Sequence, residues 1–68
     1  MGQRWTTVFQ TEIRHHAEIV SMMLSAHGCQ AIVLDKRDSA YSMGHIEVKV
    51  QPDFVMRAAK LIADEITF

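Results

Sequence analysis

The residues best suited to chemistry sit in the stretch "LDKRDSAYSMGHIEVKV" and around it. Lys36 and Arg37 stand beside Asp38 and Ser39, with Tyr41 close behind and Lys49 further on. Two cations, a hydroxyl and a phenol within six positions could contact a phosphate or a carboxylate. The same residues also read as a connection between strands. Asp38 and Ser39 can bond nearby backbone N–H groups, and Gly44 permits a bulge or a positive φ. No glycine-rich cradle is present and no helix follows directly, so the pattern carries no phosphate specificity.

The other chemistry-bearing types are scattered. His15 and His16 are adjacent, and neighbours on a helix point about 100° apart, so they do not chelate from one face. Glu12 and His16 have the i, i+4 spacing that a helical metal pair needs, but the further ligands of a metal site are missing, and no metal is expected. Cys29 is the only cysteine. It reads as a small buried apolar residue after a helix C-terminus, where the dipole disfavours a thiolate. A pairing with His27 or His45 would lack a third, orienting group. No paired carboxylates, phosphate loop or triad emerges, so no catalytic residue is assigned, no cofactor is expected and the chain does not read as an enzyme.

The elements that must position these groups follow from periodicity. Residues 4–10 read as a strand, rich in β-branched and aromatic types. Thr11 is placed to cap a helix over 12–27, with Ile13, Ala17, Val20 and Leu24 forming its apolar stripe and Gly28 ending it. His16 should border the core and His15 should face water. Residues 29–36 form a second strand around Ile32, Val33 and Leu34. Residues 45–51 alternate cleanly, so Ile46, Val48 and Val50 share one face and Glu47 and Lys49 the other. Pro52 ends that strand and starts a helix over 53–65, with Phe54 or Val55, Ala58, Ala59, Leu61 and Ile62 inward. Ile66, Thr67 and Phe68 are strand-like in composition but few.

The order β-α-β-β-α, with a short or absent fourth strand, predicts an α+β fold: a single ferredoxin-like plait over residues 1–68, its antiparallel sheet carrying both helices on one face. The expected strand order, 4-1-3-2, leaves the first strand as an edge if the fourth is missing. The open face is expected to carry Trp5 or Phe9, and Ile32 or Leu34, beside Glu47 and Lys49.

Size and charge bound the rest. The chain has 68 residues, 49% of them apolar, and a formal net charge of -1. A domain this small buries only about 60% of its unfolded surface and is marginal without a staple or a partner. One cysteine allows no internal disulfide, which fits a reducing cytoplasm. The charge argues against a nucleic-acid partner. No apolar run nears the roughly 20 residues of a membrane span, and the polar "MGQRWT" does not look like a secretion signal. A homo-oligomer, most simply a dimer, is therefore expected, with Trp5, Phe9, Ile32 and Leu34 as interface candidates.

The pieces "AEIVSMMLSAHG", "AIVLDKRDSAY", "GHIEVKVQPD" and "AAKLIADEI" resemble the family of putative prokaryotic signal-transducing proteins, small bacterial domains of unknown function. The likeness spans nearly the whole chain, and the form with "LDKRDSAY" looks most like the Bacteroidetes branch. The resemblance implies a ferredoxin-like fold grouped with the P-II-like nitrogen regulators, and a regulatory role by analogy. The long exposed loop and the nucleotide-binding residues of P-II proteins have no counterpart here. The resulting expectation is a non-catalytic, self-associating regulatory or interaction module. The alternative is a sensor of a small anionic effector or nucleotide, with Lys36, Arg37, Ser39 and Lys49 on the ligand.

Overall fold

The computed structural model describes residues 4–36 and 45–68. The chain runs β1 (Thr6–Thr11), α1 (Arg14–Ala26), β2 (Ala31–Asp35), β3 (Ile46–Val50), a single 3-10 turn (Pro52–Phe54) and α2 (Val55–Glu65). The strands form an antiparallel sheet in the order β1-β3-β2. This is a small α+β domain compatible with the expected plait. Ile66, Thr67 and Phe68 add no strand. Among the described residues no helix is long and apolar enough to cross a membrane.

β3 is the middle strand, and its alternation organises the domain. Ile46, Val48 and Val50 are fully buried and pack with Ala17, Val20 and Leu24 of α1, Ala58 of α2, and Cys29. Both helices therefore cover one sheet face. Phe54, Val55, Leu61 and Ile62 seal the α2 side, whereas Ala59 is exposed despite its expected inward place. Among the described residues eight apolar side chains are buried, a small core in keeping with a total stability of about 3–10 kcal/mol for this length.

The two ends of α1 differ in how closely they follow expectation. The helix begins at Arg14, not Glu12, with Ile13 as its N-cap residue. The Thr11 hydroxyl accepts the Ile13 N–H at 3.0 Å, so it closes a local turn ahead of the helix and caps none of the helix's own donors. Ile13 is exposed as a result. At the other end Gly28 adopts φ 82°. The Cys29 N–H donates to the Leu24 carbonyl at 2.8 Å and the Gly28 N–H to the Ser25 carbonyl at 3.0 Å. These are the two bonds of a Schellman stop.

β1 departs from simple alternation. Thr7 opposes Lys49 and Phe9 opposes Val48, which leaves Val8 as an extra, bulged residue. The bulge changes the parity of the strand. Thr7 stands on the open face with Lys49, and Phe9 turns to the helix side with Val48. There the Phe9 ring meets Phe68 edge-on, with centroids 6.2 Å apart, and Phe68 stacks on His16 at 3.8 Å.

Candidate functional site

His45, just ahead of β3, and Glu47 and Lys49, at outward positions within it, build a polar cluster on the open face of the sheet. Lys36 joins it from the end of β2 and Thr7 from β1. At the centre is Glu47, only 8% exposed. Its Oε2 lies 2.8 Å from His45 Nε2. Its Oε1 accepts the Thr7 hydroxyl at 3.1 Å and pairs with Lys49 Nζ at 3.2 Å and Lys36 Nζ at 3.4 Å. Lys49 Nζ also donates to Thr7 Oγ1 at 2.9 Å, which closes a ring of three groups.

These contacts hold the Glu47 carboxyl well below its ordinary range, at about 2. The largest cause is the His45 hydrogen bond. Burial opposes it, and the Lys49 and Thr7 bonds and the Lys36 charge lower the value further. The hydrogen bonds and positive charges together outweigh the cost of burial. An ionised carboxylate only accepts, so His45 Nε2 carries the hydrogen in this pair. The arrangement is poorly suited to proton transfer. An acid or base at neutral pH needs a value near that pH, and this carboxylate is pinned ionised.

β2 frames the cluster with apolar surface. Ile32 opposes Lys49 and Leu34 opposes Glu47 across the ladder, so both stand on the open face, 37% and 41% exposed. Of the alternatives Ile32 or Leu34, both stand on the open face. Trp5 is half-buried just ahead of β1, and Phe9 lies on the helix side for the reason given above. Lys36 and Lys49 are brought together, but by a carboxylate of the same chain. Arg37, Asp38, Ser39 and Tyr41 lie outside the described residues.

The remaining candidates do not assemble. Glu12 precedes α1, so it and His16 do not share a helix face at i, i+4. His15 is exposed, while His16 is half-buried under Phe68. Cys29 is fully enclosed in the apolar core, and His45 is engaged with Glu47. Among the described residues no three His, Cys, Asp or Glu side chains gather as metal ligands would.

Glu47, expected on the open face but given no role there, Thr7, and His45, weighed only as a partner for Cys29, are the members that the sequence reading does not assign. The signal for Glu47 was present: His45, Glu47 and Lys49 alternate with buried residues, so a base, an acid and a base share one face. Thr7 had no such signal, because its facing depends on the bulge at Val8. No family model, no curated protein and no solved structure matches this chain.

Proposed function

We propose that the protein is a non-catalytic regulatory or interaction module that self-associates, built as a ferredoxin-like plait and related to the small putative signal-transducing proteins that its sequence resembles. The supporting observation is the composition of the open face. Its central carboxylate is spent on four groups of its own chain, and the apolar side chains beside it, Ile32 and Leu34, remain exposed on a domain whose buried core is small among the described residues. A thin domain gains most by covering such surface with a second protein layer or sheet. Sedimentation equilibrium from low micromolar to millimolar protein tests this reading. A dimer that dissociates on dilution is expected, and a monomer throughout would remove it.

A second reading has its own support. Lys36 and Lys49 place two positive charges against one carboxylate, with His45 beside them. The surplus charge favours a small anionic effector on this face. A rise in melting temperature with an organic anion or nucleotide at fixed ionic strength is the expected sign, and its loss in Lys36→Gln would locate the effect.

A further inference from the structure

The hydrogen-bond phase of β2 shows which surface a second copy can use. The Lys36 N–H donates to the His45 carbonyl at 2.9 Å, which makes these opposed residues a bonded pair. Bonded and non-bonded pairs alternate along an antiparallel ladder. β2 keeps an unbroken register against β3, so Leu34 and Ile32 also spend their N–H and C=O groups inward. Ala31 and Val33 turn theirs outward. Among the described residues no strand pairs with that edge.

The two edges of the sheet are unequal. β1 carries the bulge at Val8, a device that bends an edge away from further pairing, and Phe68 packs beside Phe9 on its helix side. β2 has no bulge, and its sequence Ala-Ile-Val-Leu is apolar until Asp35. An apolar edge of regular register pairs readily with another strand.

We infer that two copies of this chain join antiparallel through β2, about a two-fold axis at Val33, into one continuous six-stranded sheet. This deepens the self-association proposed above and rests on it. The occupant is a second copy because the strand is complementary to itself in this register. Val33 meets Val33 of the second copy as a bonded pair, which uses the outward groups of both. Ile32 then faces Leu34 of the second copy, twice, as close-set non-bonded pairs. Asp35 faces Ala31 and Lys36 faces Gln30, so no like charges oppose each other. The four open-face side chains, Ile32 and Leu34 from each copy, become one apolar stripe between two Glu47 clusters.

The test leaves every side chain in place. The Gly28–Cys29 junction allows the chain to be assembled by native chemical ligation with an N-methyl group on Val33. That N–H points away from β3, so the internal ladder is kept and circular dichroism should be unchanged. In sedimentation equilibrium the unmodified chain should be a dimer and the N-methyl chain should show a dissociation constant at least tenfold weaker. A second variant, Ile32→Cys with Leu34→Cys, should form a disulfide-linked dimer under mild oxidation, because facing non-bonded positions lie within reach of a disulfide. If the unmodified chain dimerises and neither change has its effect, the β2 edge is overturned while self-association stands. If the unmodified chain is monomeric at every concentration, both are overturned.

Discussion

His45 Nε2, from the residue that leads into β3, lies 2.8 Å from Glu47 Oε2, two residues further along the chain. A strand places i and i+2 side chains together as a matter of geometry. Here that placement makes an imidazole the first partner of a carboxylate at the centre of the open-face cluster. Lys49, two residues further on, approaches the other oxygen. One alternating strand thus contributes three apolar residues to the core and two polar residues to the opposite face, with His45 just ahead of it. Each set depends on the other, since a slip of one residue would bury the charges.

The lowered Glu47 carboxyl makes acid stability depend on this cluster. Its value falls from 4.5 in the absence of partners to about 2 in the folded protein. A depressed carboxyl stabilises the fold fully above the unfolded value, and that contribution is lost as pH falls through the folded one. The melting temperature should therefore show a Glu47-dependent decline between about pH 4.5 and pH 2. Glu47→Gln should flatten the curve across that window and lower stability above it, where Lys36 and Lys49 lose their counter-charge. Thermal melts of both proteins at a series of pH values would check this. An equal slope in the variant would show that other carboxyls govern acid unfolding.

Gly28 provides a cleaner test of backbone cost. Its φ of 82° is the left-handed region, and a Cβ built there meets nothing within 4 Å. Substitution by alanine is then penalised by conformation alone, with no clash to relieve. Gly28→Ala should cost about 1–2 kcal/mol, and Gly28→Asn less, since asparagine tolerates this region better. Urea unfolding of the three proteins measures the difference. A loss much larger than this for alanine would mean that the Schellman stop also fixes how Cys29 enters the core.

The parts of the fold that could be read from sequence are those with strong periodic or steric signals. The 45–51 alternation gave the sheet faces, the 3.6-residue stripe placed Ala17, Val20 and Leu24, and Gly28 and Pro52 marked boundaries. What stayed hidden has physical reasons. Residues 5–9 are all good strand formers on both faces, so nothing in them announced that Val8 would bulge and reverse Phe9. Thr11 has the right type for a cap, but its hydroxyl serves the Ile13 N–H ahead of the helix. In sequence, Lys36 and Lys49 read as charge on offer to a ligand. That Glu47 uses both of them is a three-strand relationship, and only the register of β2, β3 and β1 creates it.

Phe68 illustrates a contact that composition misdirects. Its neighbours Ile66 and Thr67 suggest a fourth strand, yet the ring leaves the sheet plane to stack on His16 and to meet Phe9 edge-on. Each aromatic contact of this kind contributes about 0.5–1.5 kcal/mol, but more than half of Phe68 remains exposed. Phe68→Ala should therefore cost about 1 kcal/mol, a drop of roughly 4–8 °C in melting temperature for a domain of this size. Phe68→Leu should recover part of the burial and none of the ring geometry. The His16 ring protons, shielded by the stacked Phe68 ring, should move downfield in both variants. Unmoved His16 signals together with lost amide protection along β1 would instead place this segment on the sheet edge as a strand.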